Sequence, residues 1–169
     1  MDTNHVPKYD MSRNETGCCP RFDPAPWEDQ ELHFRDKPFV RANTLSLFHV
    51  PLNMGSVFAK TFDAIKRAHA EDEEFVVLSH DPSVWRGEHL FSVKGEVPGA
   101  DNVKLSGDFV THVFEGPYSD AANWVKQMEA LVAQKGKKLT ELYFYYTTCP
   151  SCAKHYGKNY VVGVAEVRS

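Results

Sequence analysis

The chain contains no apolar run long enough to span a bilayer, and its first residues, Met1-Asp-Thr-Asn-His-Val-Pro7, carry neither the basic nor the apolar segment of a secretory signal. These two absences lead to the expectation of a cytoplasmic protein without a membrane partner. A basic excess is missing as well. The 19 Lys and Arg stand against 23 Asp and Glu, which removes the broad positive field that a phosphate backbone requires. With no helix-turn-helix pattern either, no direct nucleic-acid binding is expected. Cysteine is scarce: four in 169 residues, in two doublets, Cys18-Cys19 and Cys149/Cys152. That spacing suits a metal or redox site in a reducing compartment better than a disulfide framework. At this length one domain can bury a core without staples.

Residues 1 to about 30 are polar and broken by Pro7, Pro20, Pro24 and Pro26, which excludes a helix or a central strand. A segment of this kind that carries Cys18, Cys19, Phe22 and Trp27 reads as a docked strap. Leu32 to Val40 reads as a short hairpin turning near Asp36-Lys37. Residues 1–42 are therefore taken as strap and hairpin, docked on a domain of residues 43–169.

That domain repeats itself. Phe48-His-Val-Pro-Leu-Asn53 falls on Phe114-Glu-Gly-Pro-Tyr-Ser119 at an offset of 66, which pairs Pro51 with Pro117 and the N-cap candidates Asn53 and Ser119. Phe58, Phe62 and Ile65 fall on Trp124, Met128 and Leu131, core positions of two amphipathic helices. Gly136 supplies a left-handed stop for the second. Val76 and Leu78 fall on Leu142 and Phe144, and one further strand closes each half. The fold class is thus α+β: a tandem strand-helix-strand-strand repeat, halves about 43–97 and 103–167, with pseudo-twofold symmetry and a central ligand groove opposite the helices. The second half is about four residues longer before its last strand, where Cys149-Pro-Ser-Cys152 sits.

The chemistry is expected in Glu141-Leu-Tyr-Phe-Tyr-Tyr146. β-Branched and aromatic density makes it a strand. Alternation puts Leu142, Phe144 and Tyr146 on one face and Glu141, Tyr143 and Tyr145 on the other, a carboxylate beside phenols.

On Phe114-Glu-Gly-Pro-Tyr118 opening a Trp-bearing helix, and on Glu141-Leu-Tyr143, residues 43–167 resemble the GyrI-like small-molecule-binding domain family. The resemblance implies a groove for a hydrophobic or cationic small molecule, with Glu141 as the acid and Tyr143 and Tyr145 as platforms, joined by Tyr118 and by Trp85 as a lid or loop anchor. Aromatic faces attract cations, and a carboxylate in an apolar groove is offset by a cationic partner. Some relatives hydrolyse electrophilic small molecules with a groove Glu and Tyr, which here would make Glu141 and Tyr143 catalytic. A third alternative is an adaptor whose groove takes a protein partner's segment, which a large apolar patch would favour. Glu115, the strap and both cysteine doublets depart from the family pattern.

Cys-Pro-Ser-Cys at a tight turn is one half of a zinc site. Cys18 and Cys19 could supply the other half, with His155 as an alternative ligand for one of them, four of the five at most. Free structural thiols, or a redox or nucleophilic pair with His155 as base, are the competing readings. A thioredoxin-like site is disfavoured because Gly157 leaves no room for a helix after Cys152. No organic cofactor is expected. Among the other histidines, His49 and His112 read as packed strand residues, and His69, His80 and His89 as residues near element ends.

Overall fold

The computed structural model describes residues 2–48 and 50–169; the expectation for His49 lies outside them. In chain order the elements are β1 (Glu31–Leu47), β2 (Val50–Pro51), α1 (Met54–Arg67), β3 (Val77–Ser83), β4 (Arg86–Ser92), β5 (Asp101–Glu115), α2 (Ala121–Gln134), β6 (Lys138–Tyr146), α3 (Pro150–Tyr156) and β7 (Tyr160–Arg168).

The architecture follows from β1. Its seventeen residues are too many for one short neighbour, and both edges are used: Phe39 to Leu45 pair with β4, Glu31 to Arg41 with β5, all antiparallel. With β3–β4, β3–β6, β6–β7 and β5–β7 pairings, the order β1-β4-β3-β6-β7-β5 returns to β1. Six antiparallel strands thus form a closed barrel, which leaves no long edge open to another chain.

Closure separates three cores. Inward residues from all six strands, including Leu32, Phe34, Phe39, Leu78, Leu90, Phe109, Tyr143, Tyr145, Val162 and Val164, fill the interior. Outside, α1 covers β1, β3 and β4 through Ile65, Phe58, Val40, Val77 and Phe91. Likewise α2 covers β5, β6 and β7 through Trp124, Met128, Val132, Phe114 and Ala165. The helix on β7 can sit close because Gly163 has no side chain: a Cβ there would lie 2.7 Å from Met128 Sδ and 3.1 Å from Phe114.

Several expectations change here. No hairpin turns at Asp36-Lys37: β1 runs straight through, absorbing the irregularity as a bulge between Phe34 and Lys37, with Asp36 at φ 51°. The boundary at residues 42 and 43 consequently falls inside a strand. The central groove is closed over, because β1 pairs with β5 and the interior fills with Phe34, Phe39 and Phe109, each at most 1% exposed. Asn53 stands at the N-cap of α1, but its Oδ1 accepts from Leu45 N–H instead, and the N-cap of α2 is Asp120 rather than Ser119, since a 3-10 turn, Tyr118–Asp120, comes first. A helix does form over the last cysteine doublet: α3 has Cys149 at its N-cap, Pro150 and Cys152 in its first turn and Gly157 at φ 73° as its stop. The Gly157 that argued against a helix is its C-terminal cap. Gly136 ends α2 at φ 69°, as its sequence position suggested.

A candidate active site at the polar mouth of the barrel

The two ends of the barrel have opposite character. At one end the strap seals the interior. Trp27, 4% exposed, packs on Tyr145 at 5.3 Å, and Phe22 packs on Tyr145 at 6.3 Å. The backbone carbonyls of Trp27 and Gln30 accept from Thr111 Oγ1 and Thr111 N–H. Further along the strap, Val6 enters the interior core and its N–H donates to Glu74.

At the other end the same inward stripes become polar. On β6 the stripe runs Tyr145, Tyr143, Glu141; on β7 it runs Val162, Val164, Glu166; on β4 it runs Leu90, Glu88; on β3 it runs Leu78, His80. Strand pairing places Glu141 opposite Glu166 and His80 opposite Glu88. The His80 ring lies between two carboxylates, with Nε2 3.0 Å from Glu88 Oε1 and Nδ1 3.4 Å from Glu141 Oε1. The His80 and Tyr143 rings meet edge to face, with centroids 5.0 Å apart. Both nitrogens can donate at once only when the ring carries two protons. Glu88 and His80 are largely covered, whereas the Glu141 side chain is 41% exposed and opens to solvent. Burial first, then the charges of Glu141, Glu166 and Glu88, hold the Tyr143 phenol well above its usual range, so it remains a proton donor. Arg41 feels Glu88 as well, but its guanidinium is engaged by Asp101 at 2.8 Å.

Of the expected ligand residues, the fold brings together Glu141 and Tyr143. Tyr145 is buried at 3% exposure under Trp27 and presents no platform. Tyr118 donates to Thr148 O and packs on Tyr146, beside Cys149 and Cys19. Trp85 is exposed in the turn between β3 and β4, packed on Phe48 at 5.4 Å. Together with Leu45, Leu47, Val50 and Leu52 it makes an exposed apolar tip. Leu45 pairs with Arg86, two residues beyond the Asn43–Glu88 pair, so the tip begins about 7 Å from the mouth at strand rise. His80, Glu88 and Glu166 were missed. The available signal was partial: a turn at Val84-Trp85 pairs Ser83 with Arg86 and by itself sets His80 against His89, and the bulge between His80 and Ser83 is what brings His80 opposite Glu88.

Two cavities lie elsewhere. One, about 250 Å³, sits under the strap among Arg13, Arg21, Tyr156 and Tyr160; the other, about 360 Å³, is a shallow hollow by Gly116-Pro117 and Lys158. Neither joins an imidazole to carboxylates, so chemistry favours the mouth over volume.

The four cysteines meet at the sealed end, every Sγ within 4.8 Å of the others. His155 is not among them; its Nε2 faces Glu15 at 3.6 Å. Cys152 is the acidic thiol of the group. Burial alone would raise it, but hydrogen bonds with Thr16, Cys149 and Cys19 bring it down to about 7. His112, half-buried on β5, bonds Glu28 at 2.8 Å and Asp29 at 3.1 Å.

Fold and site together define a closed antiparallel barrel, flanked by helices, with a carboxylate-imidazole-carboxylate array over one mouth. Residues 9–167 match the family model described as "Bacterial hydrolase", and the chain belongs to that family. Among solved structures, it is similar to an uncharacterized conserved protein from Listeria innocua, with a TM-score of 0.59 and 10% identity over 84% of this chain and 93% of that one. A hydrolase from Listeria innocua is similar at a TM-score of 0.58 and 12% identity, over 84% and 92%. At these identities the likeness concerns the fold. No curated protein matches the chain. No helix among the described residues is long and apolar enough to cross a membrane.

Proposed function

We propose that this chain is a small-molecule hydrolase acting at the polar mouth, on a neutral or cationic substrate that carries an apolar part. The observation that carries the reading is His80 held between Glu88 and Glu141 against the Tyr143 phenol. The family description agrees with it. Glu141, the exposed member, takes a proton from water as the water oxygen attacks the electrophilic carbon. His80, steadied by Glu88, positions Glu141. Tyr143 donates a hydrogen bond to the oxygen on which negative charge develops, and its raised pKa keeps that proton in place. As the intermediate collapses, Glu141 returns the proton to the leaving group, so the carboxylate is regenerated. Three carboxylates repel anionic substrates, and the Leu45–Trp85 tip offers an apolar surface next to the reacting centre.

The same observations support a second reading, in which a cationic amphipathic compound is bound without turnover, as the GyrI-like resemblance implies. Under it, the two chain segments 43–97 and 103–167, which share the order strand, helix, strand, strand apart from the short β2 in the first and α3 before the last strand of the second, are halves of a duplicated module related by a pseudo-twofold axis. The two readings part on one experiment. Neutral and cationic esters and epoxides are incubated with wild type and with Glu141→Gln, and product and affinity are both measured. Product lost in the variant with affinity retained supports hydrolysis. Affinity for cations lost, with no product from either protein, supports binding.

A further inference from the structure

From the cysteine cluster we infer that the protein binds one zinc ion through Cys18, Cys19, Cys149 and Cys152, and that this ion latches the strap onto the sealed end of the barrel. A tetrahedral zinc with Zn–S bonds of about 2.3 Å needs sulfurs about 3.8 Å apart along every edge. All four Sγ atoms lie within 4.8 Å of one another, and the adjacent pair Cys18–Cys19 is separated by 3.6 Å. Two disulfides would need only two short contacts. Six short contacts among four sulfurs are what one shared centre needs.

Each half of the site is built locally. On the barrel side, Cys149 at the N-cap of α3 and Cys152 in its first turn present two thiols from one knuckle, and Cys149 O accepts from Ala153 N–H at 2.9 Å. On the strap side, Thr16 Oγ1 accepts from the N–H groups of Cys18 and Cys19 at 3.2 and 3.3 Å, turning the chain so that neighbouring cysteines face one point. The same hydroxyl lies 3.2 Å from Cys152 Sγ and so ties the two halves. Tyr156 of α3 completes the frame, its OH donating to Cys19 O at 2.5 Å and its ring lying under Arg21 at 4.6 Å. Outer contacts of this kind orient the ligands of a metal. Four thiolates around a divalent ion leave a net charge of minus two, and the nearest cation on the strap, Arg21, is itself paired with Glu15 at 2.9 Å. A sulfur-only tetrahedral set selects zinc over the hard cations.

The consequence is mechanical. Cys18 and Cys19 in the middle of the strap and Trp27 near its end bracket Phe22, so a metal at the cysteines holds residues 18–27 against Tyr145. The full chain, reduced and freed of metal, is titrated with cobalt(II) and then zinc, with limited proteolysis run in parallel. One equivalent of cobalt should give thiolate charge-transfer bands and tetrahedral d–d bands that zinc abolishes, and zinc should slow cleavage between residues 10 and 30 at least tenfold. Cys152→Ser and Cys18→Ser should each lower the charge-transfer intensity per cobalt by one thiolate's share, while His155→Ala keeps it. If the serine variants do not fold, the intensity per cobalt in the wild type still counts the thiolates. No uptake by reduced protein, uptake without thiolate bands, or uptake that leaves strap cleavage unchanged would each overturn the assignment.

Discussion

The two ends of one barrel are built from the same inward stripes and do opposite things. On β6, Tyr145 lies under Trp27 with no access to solvent, while Glu141, four residues earlier on the same face, opens to it. The sealed end places rings on rings and excludes water. At the open end, three carboxylates stand round an imidazole and a phenol, an arrangement that by itself is electrostatically costly. A barrel can hold such a mouth only if its other end supplies rigidity, and here that end is supplied by the first thirty residues. Function and stability are therefore separable by position along a stripe.

The sharpest way to break that comparison is Glu141→Gln. Loss of the base should lower kcat by about 10² to 10⁴, while the melting temperature stays near that of wild type because the side chain is solvent-facing. A large fall in stability with it would show that the mouth is structural. At the sealed end the pattern should reverse. Trp27→Ala should cost about 3–5 kcal/mol in urea unfolding and expose Tyr145, with the folded fraction retaining its turnover.

A third measurement separates fold titration from site titration. His89 lies on the outer face under α1, its Nε2 2.9 Å from Thr44 Oγ1 and its Nδ1 2.7 Å from Ser79 Oγ. Burial, opposed by the charge of Asp81, brings it from 6.5 down to about 4. The folded chain thus keeps this ring neutral in a range where the unfolded chain protonates it. Its contribution is complete above pH 6.5 and is lost as pH falls toward 4, roughly 3 kcal/mol across that window. His89→Gln should flatten this part of the stability profile and leave the pH profile of activity unmoved. The smallest effect is expected at the apolar tip. Trp85→Ser should change stability by less than about 0.5 kcal/mol but raise KM several-fold for substrates with a large apolar part. Equal KM values for apolar and compact substrates would detach the tip from the site.

Much of the scaffold was legible because it is local. Trp124, Met128 and Val132 lie on one helical stripe, and alternation put Leu142 and Phe144 on the face that α2 covers. Gly136 marked a helix end by the one conformation it adopts cheaply. What misled were signals with two solutions. Asp36-Lys37 can turn a hairpin or bulge a strand, and the length of β1 with a partner on each side selects the bulge. Gly157 can block a helix or cap one, and Pro150 in the first turn of α3 selects the cap.

The sequence alone determined α1, α2 and the strands that follow them, and which side of each is apolar, because those depend on periods of two and 3.6 residues within single elements. Only the tertiary structure decided that the sheet closes, which buries Tyr145 and leaves Glu141 at a mouth. Only it brought His80 and Glu88 to Glu141, and Cys18 and Cys19 to Cys149 and Cys152. Such meetings depend on the register between strands and on where a strap lands, and no local period encodes either.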